Sequence, residues 1–189
     1  MSVRILHDEP SGPLVGRALL LPGANYNVRL HGLFWPTLTL LDHGWRITRA
    51  EWDGDEWSDD RDGFISDVVQ RLDAEAAPAP RTIVVGKSMG SLAIPWAAER
   101  GLQGIWLTPL LQLDHVRTAL AQAPHSLLVG GTADESWTPD ATCGERHALV
   151  EVEGMNHGMF VGNRWRPSFA AMTRILESIE AFLREVDPS

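Results

Sequence analysis

The decapeptide at residues 82–91, Thr-Ile-Val-Val-Gly-Lys-Ser-Met-Gly-Ser, constrains this chain more than any other stretch. Its β-branched start, residues 82–85, reads as a buried strand. The strand stops at Gly86, Ser88 follows, and a second glycine, Gly90, comes two residues later. Helical spacing then runs over residues 91–100, with Pro95 an awkward interior residue. A strand, a sharp turn and a helix in so few residues crowd the positions on either side of Ser88, and glycine tolerates that crowding. Such a turn lifts the serine hydroxyl clear of the sheet. It also sets it at a helix N-terminus, where unpaired N–H groups favour negative charge. Chance alone produces G-x-S-x-G in roughly one chain in ten of this composition, so the pattern needs support from elsewhere. The overlapping Gly86-Lys87-Ser88 is not a phosphate-binding loop. That motif requires a glycine where this chain has Arg81, and a flexible loop where it has a strand.

The rest of the chain supplies a frame for such a turn. Residues 3–7, 17–21, 45–52, 104–108, 126–130 and 147–152 are strand-like, several of them unbroken apolar runs. Helical spacing appears at residues 32–41, at 64–76, at 114–122 with Asp114 as the expected cap, and at 168–186 with Ser168 as the expected cap. Gly101 is placed to end the helix behind the turn. Strands and helices alternate after residue 15. The expected fold is therefore α/β in three layers: a mostly parallel central sheet, helices on both faces, and no stretch long enough for a cap domain. Ligands of such sheets bind at the carboxyl ends of the strands.

Composition narrows the function classes. A chain of 189 residues reads as one domain, residues 1–189. Its net charge of −9 argues against nucleic acid or an anionic membrane as partner. The single cysteine, Cys143, excludes an intrachain disulfide and any multi-cysteine metal site, which points to a reducing compartment. With no apolar leader and no apolar run of membrane-spanning length, the expected location is cytoplasmic. The acidic stretch at residues 53–62 reads as a solvated loop.

A serine hydroxyl needs a base, and a histidine base needs a carboxylate to hold it. Two later strand ends offer them. Residues 127–129 lead into Gly130-Gly131-Thr132-Ala133-Asp134-Glu135-Ser136-Trp137-Thr138-Pro139, where Asp134 competes with Glu135 and Asp140 for the acid role. Residues 150–152 lead into a glycine-flanked loop carrying His157. Tyr26, His31, Phe34, Trp35, Trp137 and Met159 are candidates to line a substrate pocket, with core filling an equal alternative for Trp137. Trp96 and Trp106 read as core. Lys87, inside the motif, reads as a partly exposed amine with no chemical role.

With the turn at Ser88, the G-x-x-D-x-x-x-x-P loop over residues 131–139 and the glycine-flanked His157 in that chain order, the sequence resembles the α/β-hydrolases. Its lack of a cap is similar to their small lidless members, the dienelactone-hydrolase-like and carboxylesterase-like proteins. The resemblance implies a serine hydrolase acting on a small-molecule carboxylic ester, or on a thioester or amide, through an acyl-enzyme. It implies Ser88 as nucleophile, His157 as base and then acid, and Asp134 as its orienting carboxylate. It further implies an oxyanion hole from the Met89 N–H and one N–H in the loop at residues 21–27. Ala24 is the first choice for that donor and Asn25 the second. The family often has His-Gly where this chain has Pro22-Gly23. No metal or organic cofactor is implied. The same triad also serves acyl transfer, peptide cleavage and perhydrolysis, and a hydrolase fold without turnover serves as a binding scaffold.

Overall fold

The unbroken apolar runs become the middle of a seven-stranded sheet in the computed structural model, which describes residues 3–52 and 59–187. The strands are β1 (Arg4–Asp8), β2 (Gly16–Leu21), β3 (Trp45–Glu51), β4 (Thr82–Lys87), β5 (Gln103–Leu107), β6 (Leu127–Gly131) and β7 (Ala148–Val152). Their order across the sheet is β1-β3-β2-β4-β5-β6-β7. Only β1 runs antiparallel, paired with β3, and the remaining pairs are parallel. Parallel strands need crossovers, and the crossover helices cover both faces. Helices α1 (His31–Asp42) and α6 (Trp165–Val186) cover one, burying Leu33, Leu40, Ile175 and Ile179 against Leu20, Val85 and Val129. Helices α2 (Arg61–Glu75), α3 (Ile94–Glu99) and α4 (Asp114–Leu120) cover the other, burying Ile65, Leu72, Trp96 and Val116 against Leu19, Val84 and Leu128. Trp96 and Trp106 are core, as expected. A short helix, α5 (Ala141–Arg146), precedes β7. This is the three-layer architecture the sequence predicts, and among the described residues no element forms a cap.

Element boundaries differ where a side chain binds the backbone in an unforeseen way. Helix α2 starts at Arg61, three residues before its apolar face, because the Asp60 carboxylate accepts the Gly63 N–H at 2.9 Å. Helix α6 starts at Trp165, so Ser168 is not its cap. The Ser168 hydroxyl donates to the Arg164 carbonyl at 2.7 Å and accepts the Val161 N–H at 3.0 Å. Asp114 is a first-turn residue of α4 rather than its cap, and its carboxylate takes Arg117 instead. Pro95 is tolerated because α3 begins at Ile94, which puts the proline in a first turn that needs no donor. Of the acidic stretch, residues 53–58 lie outside the described residues, Asp60 is the α2 cap, and Asp62 accepts His115 Nε2 at 2.9 Å. Among the described residues, no helix is long and apolar enough to cross a membrane.

Candidate active site

Ser88 stands at the carboxyl end of β4, where the chain turns into a 3₁₀ helix, Ser88–Ala93, and then into α3. Its φ is 51°, the left-handed region that side chains other than glycine rarely adopt. Both flanking glycines are required by backbone atoms. A Cβ on Gly86 would lie 2.6 Å from the Gly90 carbonyl oxygen, and one on Gly90 would run into the Leu21 carbonyl of β2. The turn is thus wedged against its own helix on one side and the neighbouring strand on the other. Ser91 braces it from below. Its hydroxyl donates to the Ser88 carbonyl at 2.6 Å and accepts the Leu110 N–H at 3.0 Å.

Strands β6 and β7 are parallel neighbours, so the loops leaving their carboxyl ends emerge side by side. The Ala133 N–H donates to the Met155 carbonyl at 3.1 Å and stitches the two loops together. The second loop is closed on itself by the Asn156 N–H on the Phe160 carbonyl at 2.9 Å. Here His157 faces both partners. Its Nε2 lies 2.7 Å from Ser88 Oγ, and its Nδ1 lies 3.0 and 2.9 Å from the two Asp134 carboxylate oxygens. Asp134 Oδ1 also accepts the Ser136 N–H at 2.9 Å, which fixes a carboxylate that is itself almost wholly buried. Glu135 is exposed, and Asp140 caps α5 through the Cys143 N–H at 3.0 Å. The carboxylate against the His157 ring is therefore that of Asp134. The ring keeps an exposed edge, so water reaches it.

The loop after β2 closes the site from the other side. Gly23 sits against the turn, since a Cβ there would come within 3.2 Å of the Ser88 Cβ. The Ala24 carbonyl accepts Trp52 Nε1 at 3.3 Å, and Asn25 is exposed. The Met89 N–H belongs to the first turn of the 3₁₀ helix, where no intrahelical acceptor exists.

Of the expected pocket residues, His31 and Trp35 line a groove of about 580 Å³ that runs between the starts of α1 and α6, with Phe160, Trp165 and Phe169 as its other aromatic walls. Asn156, adjacent to His157, lines the same groove. Trp165 and Phe169 are 69% and 63% exposed. Burial holds the His31 imidazole below its ordinary pKa, against a backbone hydrogen bond with Met159 that raises it, and the Lys87 charge lowers it further. Phe34 is half exposed on α1, edge-on to Trp35, and is not one of the groove residues. Met159 is buried beneath Gly32, whose Cβ would meet its sulfur. Tyr26 is held by the Gly32 N–H on its hydroxyl at 2.9 Å, and burial pushes that hydroxyl up to about 12. Trp137 does not wall the groove. It is packed where a Cβ on Gly130 would be, with Nε1 donating to Glu151 at 2.8 Å. Its indole fills space beside β6 because Gly130 leaves that space open.

Lys87 is the residue most misjudged from sequence. It is 1% exposed rather than partly exposed. Its Nζ donates to Thr108 Oγ1 at 3.0 Å and to the His157 carbonyl at 2.9 Å, and it lies 4.2 Å from the centre of the Tyr26 ring. Burial lowers its pKa to about 8, partly offset by the charge of Asp134. The signal was present in the strand period. Lys87 is two residues past Val85, so it shares Val85's face, and both faces of a parallel sheet are covered. Ser91, by contrast, carried no signal beyond its place after the second glycine.

Among the described residues, no group of three or more His, Cys, Asp or Glu side chains is arranged to hold a metal ion. No family model matches the sequence, and no curated protein matches it by sequence. Solved structures do resemble it. A lidless α/β serine hydrolase from Xanthomonas campestris superposes with a TM-score of 0.75 at 16% identity, over 99% of this chain and 90% of that one. A serine hydrolase homologue from Coxiella burnetii gives 0.74 at 15% identity, over 96% and 91%. Est1E from Butyrivibrio proteoclasticus gives 0.71 at 16%, over 97% and 93%. These likenesses show that the chain has the α/β-hydrolase fold.

Proposed function

We propose that this chain, built on the α/β-hydrolase fold, is a serine hydrolase that cleaves small carboxylic esters. The observation that carries the reading is the unbroken relay of Ser88 Oγ, His157 and Asp134, with contacts of 2.7 and 2.9 Å on the two sides of one imidazole. Ser88 Oγ attacks the carbonyl carbon while its proton passes to His157 Nε2. The resulting oxyanion rests on the Met89 N–H and on the Ala24 N–H, with Asn25 as second choice for the latter; each such donor is typically worth roughly 3 kcal/mol. Collapse of this intermediate breaks the bond to the alcohol oxygen, which takes the proton from Nε2. A water then gives its proton to the freed imidazole as it attacks the acyl carbon; the bond from that carbon to Ser88 Oγ breaks, Oγ takes the proton back from Nε2, and the acid leaves. Asp134 holds the Nδ1–H tautomer throughout. The same relay would serve thioesters, amides or acyl transfer. A scaffold without turnover has no use for it.

A fluorophosphonate probe tests the assignment. The expected result is a single covalent adduct on Ser88, read by peptide mass, and absence of that adduct on the folded protein sinks the hydrolase reading.

The aromatic groove beside Asn156 is the proposed seat of the acyl group. An exposed apolar surface of this kind gains about 25 cal/mol for each Å² that a ligand covers. Across p-nitrophenyl esters of increasing acyl length, kcat/KM is expected to rise from acetate towards medium chains. A profile that falls steadily from acetate would place the acyl group elsewhere.

A further inference from the structure

We infer that Lys87 is the positioning residue of this site: its buried ammonium ties the His157 main chain to the end of β5 and so holds the imidazole against Ser88. The inference rests on the hydrolase reading and goes beyond it.

Burying a lysine amine is costly, and an apolar residue would pack at this position without that cost. Lys87 lies on the sheet face shared with Val85, at the edge of the apolar layer under α1 and α6. What offsets the burial is a set of partners drawn entirely from the loops that build the site. Thr108, buried at the end of β5, accepts one N–H, and the carbonyl of His157 accepts another. The Tyr26 ring, from the loop carrying Gly23 and Ala24, lies against the ammonium. An ammonium presents three donors from one point, which lets a single side chain join segments arriving from different directions.

Two features mark this junction. Thr108 is β-branched, yet its φ is 45°. Such a conformation persists only where its surroundings over-determine it. Here the Thr108 N–H donates to the Val129 carbonyl at 2.7 Å and its hydroxyl receives Lys87. The second feature is that His157 is gripped at both ends. Asp134 holds its ring, and Lys87 holds its carbonyl. Asp134 acts on the ring and the Asn156–Phe160 hydrogen bond on the loop around it, whereas Lys87 acts on the carbonyl of His157 itself. With the carbonyl pinned as well, Nε2 has one place to go.

The groups facing the ammonium are Asp134 and His157 from the loops after β6 and β7, Tyr26 from the loop after β2, and His31 from α1. As pH rises through about 8, Lys87 loses its charge and its grip on the carbonyl weakens. Activity therefore falls along an alkaline limb centred there. Stability moves the other way. The folded pKa lies below the ordinary 10.5, so between about 8 and 10.5 the unfolded chain binds the extra proton and this group's contribution to folding rises with pH. A limb caused by unfolding cannot show activity falling while stability rises.

The test compares wild type with K87M, and with T108V, which removes one acceptor of Nζ, in ester hydrolysis and thermal melting from pH 6 to 10. K87M is expected to lose roughly 100-fold in kcat with little change in KM, the scale of a catalytic group misplaced by about 1 Å. It is also expected to lose the alkaline limb, along with the pH-dependent part of Tm that wild type shows relative to it. T108V should fall between K87M and wild type, and T108S, which restores the hydroxyl, should recover. Folded K87M with wild-type kcat and an unchanged alkaline limb overturns the inference. If K87M does not fold, T108V decides it by the same criterion. Should wild type fail to label with a fluorophosphonate, the hydrolase reading fails and takes this one with it. Labelling with an unaltered K87M profile removes the Lys87 role alone.

Discussion

Replacing Ser88 by alanine is expected to lower kcat for ester hydrolysis by about 10⁶-fold, the scale seen when a triad serine is removed. The size follows from what the hydroxyl does. In the proposed mechanism it is the group to which the acyl chain is transferred, and no neighbouring hydroxyl is placed to substitute. Ser91, the nearest in sequence, spends its oxygen on the Ser88 carbonyl and the Leu110 N–H. The change leaves the backbone intact. Alanine keeps the Cβ, so the strain at φ 51° is neither relieved nor increased, and the wedges at Gly86 and Gly90 are untouched. Wild-type far-UV circular dichroism and Tm within a few degrees should accompany the loss. Residual turnover above a tenth of wild type would remove Ser88 from the nucleophile role.

Asp134→Asn is expected to cost about 10⁴-fold in kcat with the fold again intact. Asparagine is nearly isosteric and can still accept the Ser136 N–H that Oδ1 now takes at 2.9 Å. What it cannot do is accept the Nδ1 proton from both oxygens. When its amide N–H₂ faces Nδ1, it donates, which moves the imidazole proton to Nε2 and leaves no base for Ser88. The imidazolium that forms during attack also loses its buried counter-charge. Glu135→Gln is the paired control, since Glu135 is exposed and turnover should not change. If Asp134→Asn keeps wild-type turnover while Glu135→Gln or Asp140→Asn loses it, the acid role moves to the affected residue.

The alternation of β-branched strands with amphipathic helices was enough to predict a mostly parallel three-layer sheet, because period and length set which element type each segment can form. The glycines around Ser88 were equally legible, since only a close backbone approach asks for glycine at both positions. Helix starts were read less well. Asp114 and Ser168 read as caps and neither is one, whereas Asp60, read as part of a solvated loop, caps α2; which side chain binds a helical N–H depends on where the preceding chain delivers it. Trp137 stayed open between pocket wall and core for a similar reason. A large aromatic near a strand end suits a pocket wall and a core equally well. What placed it in the core was the space left by Gly130 and the acceptor offered by Glu151, 14 residues further along the chain.

The sequence by itself determined the three layers and the turn at Ser88, and it named the loops after β6 and β7 as the places to look for a carboxylate and a histidine, since each depends on local spacing and on chain order at strand ends. Only the tertiary structure shows which of the carboxylates of Asp134, Glu135 and Asp140 lies against the His157 ring. It also decided which aromatics face the groove and what Lys87 touches. Those choices rest on contacts between segments far apart in the chain. The distance from Lys87 Nζ to the His157 carbonyl spans 70 residues of sequence and 2.9 Å of space. Strand period could place that amine on a covered face, but its partners follow from packing β4, β5 and β7 side by side.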